Sequence, residues 1–147
     1  MFQGAADINL DAKGRFAIPS KYREALVSED GRVVIAAHPH GCLLVYPVHA
    51  WEPIRDQVLS APSLDPRAAS LKRLIVGLAQ EETLDSAGRV LIMPKLRKHA
   101  GLEKGICLIG QGSHFELWSD ERWLLQEQAI MNIGETGLPP GFENLAF

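Results

Sequence analysis

Cysteine is scarce in this sequence of 147 residues: only Cys42 and Cys107 occur. Both stand in apolar stretches that read as strands, and neither has a second cysteine nearby, so a thiolate zinc site is not expected. Two buried free thiols in a reducing compartment are favoured over a disulfide. Apolar runs long enough to cross a bilayer are also missing. The opening Met1-Phe2-Gln3-Gly4-Ala5-Ala6-Asp7 lacks the basic flank and apolar stretch of a signal peptide, so a cytoplasmic location is expected. No Ser/His/Asp, Cys/His or paired-carboxylate pattern supports catalysis, and Gly110-Gln111-Gly112 is a lone turn signal, not a phosphate-cradling loop. An enzyme, a cofactor and a metal are therefore not expected. His38, His40 and His49 lie near Cys42, but Pro39 and Gly41 interleave them in what reads as a hairpin loop, and solvated loop histidines are the expectation.

A basic excess is lacking too, since the formal net charge is −3. The distribution is uneven, however. Residues 7–26 hold four Lys or Arg against three Asp or Glu, and residues 85–104 hold five against two. Residues 116–147 hold one against six. This is a local basic footprint on an acidic body, compatible with steering toward phosphate. The 46% hydrophobic and 22% charged fractions are those of a soluble globular chain with a real core.

The two basic segments are copies of one another. Ile8-Asn9-Leu10-Asp11-Ala12-Lys13-Gly14-Arg15-Phe16-Ala17-Ile18-Pro19 recurs, at an offset of 74, as Glu82-Thr83-Leu84-Asp85-Ser86-Ala87-Gly88-Arg89-Val90-Leu91-Ile92, with Met93 inserted before Pro94. Lys21 and Arg23 match Lys95 and Arg97 at the same offset. A second stretch follows in the same order at an offset of 72, with Tyr46 matching Trp118 and Trp51 matching Trp123. Two pieces repeated in order make chance similarity a poor explanation.

Each copy reads alike. Ile8 and Leu10, then Phe16 and Ile18, alternate as short half-buried strands. Between them Asp11, with Gly14 to supply positive φ, makes a tight turn. Pro19 opens a helix with Tyr22, Ala25 and Leu26 on one side; in the second copy Leu96 and Ala100 do the same and Gly101 ends it. Strand pairs are expected over 32–37 with 41–46 and over 105–109 with 114–118. Helices follow over 49–60, after Asp65-Pro66 with Leu71, Leu74, Ile75 and Leu78 on one face, and after Ser119. Residues 134–141, rich in Gly and Pro, are expected to be irregular. The resulting division is a first repeat with its trailing helix over 1–60, a linking helix over 61–80, a second repeat over 81–131 and a mobile tail over 132–147.

The doubled Asp-x-x-Gly-Arg hairpins, the opening Met1-Phe2-Gln3-Gly4-Ala5, the strand end Leu43-Leu44-Val45-Tyr46-Pro47 and Phe115-Glu116-Leu117-Trp118 resemble the MraZ family over roughly residues 1–130. The resemblance implies a β-rich α+β fold of the wider AbrB-like group: a double-split, swapped-hairpin β-barrel with flanking helices. Here one chain would supply both hairpins. It also implies a nucleoid-associated, DNA-binding transcriptional regulator that forms ring-like homo-oligomers. Such proteins bind repeats upstream of the cell-division and cell-wall gene cluster that includes their own gene.

The hairpin residues suit that work. An Arg just past a tight turn has a fixed base, and its planar fork fits both phosphate and the guanine edge. Arg15, Lys13, Gly14, Lys21, Arg23 and Arg89 are the candidate DNA contacts. Asp11, Asp85 and Gly88 are expected to form and orient the turns. The competing role for Arg15 and Arg89 is an ion pair with Asp11 and Asp85 that pins each hairpin and does nothing else. The second tip has Ser86-Ala87 where the first has Ala12-Lys13, so the first hairpin is expected to lead in DNA contact. Rival functions are an AbrB-like antitoxin whose acidic tail wraps a toxin, and a structural assembly protein.

Overall fold

The computed structural model describes residues 1–28 and 30–146, in an α+β arrangement. In chain order the first repeat gives β1 (Ala5–Asn9), β2 (Arg15–Ala17), α1 (Ser20–Val27), β3 (Arg32–Ala37), β4 (Leu43–Pro47) and α2 (Val48–Ser60). After α3 (Pro66–Ile75) the second gives β5 (Gln80–Thr83), β6 (Arg89–Leu91), α4 (Pro94–Ala100), β7 (Gly105–Gly110), β8 (Phe115–Ser119) and α5 (Asp120–Thr136).

Strand pairing interleaves the repeats. A six-stranded antiparallel sheet runs β1-β7-β8-β4-β3-β5. Its edge strand β1 lies on β7, with Ala5 opposite Ile109 and Asn9 opposite Gly105. The other edge strand, β5, lies on β3, with Thr83 opposite Arg32. Thus the first strand of each hairpin is held by the other repeat. The second strands leave the sheet and pair as a two-stranded ribbon, Arg15 opposite Leu91, Phe16 opposite Val90 and Ala17 opposite Arg89. Neither hairpin satisfies its backbone alone, which ties the repeats together.

Burial follows the pleat. Phe16 and Val90 turn inward from the ribbon into one core with Ile18, Ile35, Leu43, Ile92, Leu96, Ile106, Phe115 and Leu117. Residues from both repeats share that core. A second cluster on the opposite face of β3 and β4 joins Val34, Ala36, Leu44 and Tyr46 to Trp51 of α2. The matching Trp118 and Trp123 stand 6.3 Å apart where α5 crosses β8. The aromatics repeated at offset 72 are thus packing anchors.

Capping accounts for two helix starts and one helix end. Asp65 accepts from the Arg67 amide at the start of α3, and Ser119 accepts from the Arg122 amide at the start of α5. Gly101 adopts φ +62° just past α4. Arg122 then locks α5 down, its Nη1 donating to the carbonyls of Gly41 at 2.8 Å and His99 at 2.7 Å.

Three expectations need correction. The α3 helix ends at Ile75, so Leu78 lies beyond it, although Leu74 and Leu78 still pack on the main core. The Val76 and Gly77 amides both turn back to the Lys72 carbonyl, which closes the helix early. At the other end of the chain, α5 continues through Gly134 to Thr136, so the expected irregular stretch begins only at Gly137, where φ is +81°. A single Gly costs about 1 kcal/mol in a helix interior, which sixteen other residues can absorb. Finally, His38 is half-buried instead of solvated: its Nδ1 accepts from the His40 amide and its carbonyl bonds His99 Nε2 at 2.8 Å.

Cys42 and Cys107 are buried and unpaired. Burial pushes their thiols up to about 12 and about 11, so both stay protonated at neutral pH.

The interleaving yields a direct test. Residues 1–60 alone keep β1 and β3 but lose their partners β7 and β5. That fragment is expected to be unfolded or to pair with a second copy of itself. Circular dichroism melts combined with sedimentation check this; a cooperatively folded monomer would contradict the shared core.

Candidate nucleic-acid interface

The two Asp-x-x-Gly-Arg turns are built identically. In the first, the Gly14 amide donates to the Asp11 carbonyl at 3.0 Å and the Asp11 amide to the Arg15 carbonyl at 2.8 Å. Asp11 Oδ1 accepts from the amides of Lys13 and Arg15, and Oδ2 accepts from Arg15 Nε at 2.7 Å. In the second, Asp85 Oδ1 accepts from Ala87 and Arg89, and Oδ2 from Arg89 Nε at 2.8 Å. Each carboxylate therefore shapes the turn and holds its arginine by one edge. The fork beyond Nε is left for other work, because an Nε contact still leaves both Nη groups as donors.

Pairing then sets the two arginines side by side. Arg15 and Ala17 of β2, and Arg89 and Leu91 of β6, alternate with the buried Phe16 and Val90, so all four face outward. Arg15 and Arg89 occupy diagonal positions across the ribbon, about 7–8 Å apart at their backbones. The arginine side chains are 29% and 41% exposed. The exposed Lys13 lies in the first turn, before Arg15.

Two candidates take on a different role. Gly14 is buried, its carbonyl accepts from the Ile92 amide, and a Cβ there would fall 2.8 Å from the Arg97 guanidinium carbon. It is a packing position beneath the tip instead of an open approach to phosphate. Gly88 is its counterpart, with its carbonyl bonded to the Ile18 amide and a Cβ position 2.3 Å from Arg23 Nε. Arg23, expected to share the DNA footprint, is half-buried under that second tip and donates from Nε to the Ile18 carbonyl at 2.7 Å. Lys21 is exposed, with its Nζ 4.9 Å from the centre of the Tyr22 ring. Arg97 was not among the candidates, although it matches Arg23 at offset 74. Only the exchange of hairpins between repeats carries it to Gly14.

The histidines near Cys42 are not gathered around a site: among the described residues no group of three or more His, Cys, Asp or Glu could hold a metal ion. Burial lowers the pKa of His38, with His40 adding to the effect, and burial likewise lowers that of His114.

A doubled Asp-x-x-Gly-Arg turn on an intertwined pair of repeats also has close relatives. The family model described as "MraZ protein, putative antitoxin-like" matches the chain twice, over residues 1–74 and 75–136. The chain belongs to the MraZ family. It is 58% identical over 146 residues to the Transcriptional regulator MraZ of Aromatoleum aromaticum, covering 99% of both chains. The protein of the same name from Dechloromonas aromatica is 56% identical over 146 residues, again 99% of both. That from an Azoarcus species is 54% identical over 144 residues, 98% of both. Each of the two MraZ matches contains one hairpin, so the family unit is duplicated within this chain.

Asp11 and Asp85 lie below the ordinary 3.8, first because the Arg15 and Arg89 amides bond their carboxylates and then through the guanidinium contacts. A folded value below the unfolded one means that the turns gain stability above 3.8 and lose it as pH falls through the folded value. Carboxyl-detected NMR is expected to find both midpoints below 3.8. A midpoint at or above that value for either residue would show that its turn is not held as described.

Proposed function

We propose that this chain is a sequence-specific DNA-binding transcriptional regulator that reads operator DNA with the outer face of the β2–β6 ribbon. One observation carries the reading: two arginines from different repeats face outward on one ribbon, each held at Nε by its own aspartate. Pre-orientation of this kind lowers the entropy lost when a long side chain engages a base edge. Arg15 is the leading base contact, Lys13 and Lys21 contact phosphate, and Arg89 assists from the second hairpin. The names of the relatives support the same function, and operator repeats upstream of the gene cluster that includes this gene are proposed on the family resemblance. A cytoplasmic, nucleoid-associated protein follows from that role.

The ribbon and the six-stranded sheet are proposed to close as a double-split barrel around the core they share. Copies of the chain are proposed to assemble into a ring-like homo-oligomer. Support for assembly comes from α5, where Leu124, Leu125, Ile130, Met131 and Ile133 are 46–80% exposed, an apolar surface of the kind that marks contacts between proteins. The antitoxin alternative has less support. Four of the acids in 116–147 are fixed in α5 and are not free to wrap a toxin.

Arg15→Ala is expected to cost roughly 1–3 kcal/mol per hairpin that engages a guanine, with the protein still folded and assembled. Over several hairpins this abolishes specific binding. Gel shifts on DNA from upstream of its own gene, with melting temperature and light scattering for Arg15→Ala and Arg89→Ala side by side, check this. Normal operator binding by Arg15→Ala, or a failure explained by melting, would refute the reading role.

Assembly has its own test. The wild-type protein is expected to exceed a dimer by light scattering at micromolar concentration. Leu125→Lys combined with Met131→Lys is expected to dissociate it and to weaken binding to multi-repeat operators far more than to single repeats, through lost effective concentration. A wild-type monomer would overturn the assembly.

A further inference from the structure

The repeats differ where each helix crosses beneath the other's hairpin. Arg23 reaches under Gly88 and Arg97 under Gly14, an exchange related by the offset of 74. Arg23 donates from Nε to the Ile18 carbonyl. The corresponding bond from Arg97 to Ile92 does not form: among the described residues, the buried Arg97 Nε has no hydrogen-bond partner. Arg97 also lines an open cleft of about 510 Å³ beside the first hairpin, together with Leu10, Asp11, Ala12, Glu103 and Lys104. The Lys104 carbonyl accepts from the Leu10 amide at 2.8 Å, which anchors this lysine against the base of the hairpin.

The other side is different. The position matching Lys104 is Gly31, whose carbonyl accepts from the Leu84 amide at 2.9 Å, and the neighbouring Asp30 is engaged by Arg32 at 3.0 Å. Lys104 therefore places an ammonium at the foot of the first hairpin where the second has only Gly31. Of the two carboxylates at the cleft, Asp11 is taken up by its own turn. Glu103 is exposed and, among the described residues, makes no hydrogen bond or ion pair.

We infer that this cleft is a backbone-phosphate site for duplex DNA, in which Arg97 and Lys104 of the second repeat anchor the hairpin of the first. An arginine and a lysine lining one groove open to solvent suit a phosphodiester. Glu103 opposes the anion and moderates the affinity. The inference rests on the proposed DNA-binding function and adds which residues hold the strand that passes the first tip. It also gives the two hairpins unequal roles beyond the Lys13 difference, since the second has Gly31 where the first has Lys104, and its neighbouring Arg32 is taken up by Asp30 and Glu81.

The test uses the full-length protein in fluorescence anisotropy titrations over a series of salt concentrations. One duplex comes from upstream of its own gene, and an unrelated duplex has the same length. Lys104→Ala is expected to weaken both duplexes equally and to reduce the slope of log affinity against log salt by about 0.9 for each site engaged. Glu103→Gln is expected to tighten both, a gain that misfolding cannot mimic. Arg67→Ala, which removes one exposed cation on α3, controls for net charge and is expected to leave the slope unchanged. The inference is overturned if Lys104→Ala behaves like Arg67→Ala, or if Glu103→Gln binds no tighter than wild type. A wild-type protein that binds neither duplex would overturn the DNA-binding reading itself, and this site with it.

Discussion

The pairing of β2 with β6 holds the rest of this architecture in place. A tight hairpin of three-residue and five-residue strands buries too little surface to persist in water. Here each hairpin finds its hydrogen-bond partners on the other repeat. The Ile18 amide reaches the Gly88 carbonyl, and the Ile92 amide reaches that of Gly14. Those bonds extend the ribbon to the foot of each tip and fix the register. Register in turn decides which side chains face out, because a slip of one residue would put Phe16 and Val90 in solvent and both arginines in the core. Burial of Phe16 and Val90, each 1% exposed, makes that slip costly.

From this constraint the proposed DNA-reading surface follows. The aspartates shape the turns and hold Nε, the ribbon sets the spacing of the two guanidinium groups, and the crossing arginines Arg23 and Arg97 support the glycines beneath. Ion pairing and DNA reading were competing roles for Arg15 and Arg89. The geometry makes them compatible, since a contact at Nε orients the fork without using it up. An overall charge of −3 is then no obstacle, because the cations concerned gather at the hairpins while residues 116–147 hold six acids against one cation.

Much of this was legible in the sequence for identifiable reasons. The duplicated Asp, Gly and Arg announced both turns, Pro19 and Pro94 marked helix starts, and Gly101 and Ser119 marked a helix end and a start. What depends on contacts between repeats was less accessible. Arg23 and Arg97 look like surface cations because their helices are short and polar on that side. Only the exchange of hairpins turns them toward Gly88 and Gly14. Gly134 looked like a break, yet α5 passes through it, its start being fixed by the Ser119 cap and the Arg122 clamp. His38 reads as a solvated loop residue, and only the end of α4, which carries His99, half-buries it.

The central claim is that two repeats form one ribbon and that this ribbon meets DNA as a unit. Hydrogen exchange of the full-length protein, with and without duplex from upstream of its own gene, tests it most directly. Added protection is predicted at residues 11–18 and 85–92 together, with α5 unchanged. Protection confined to α5 and the segment after it, with both hairpins exchanging as in the free protein, would contradict the account.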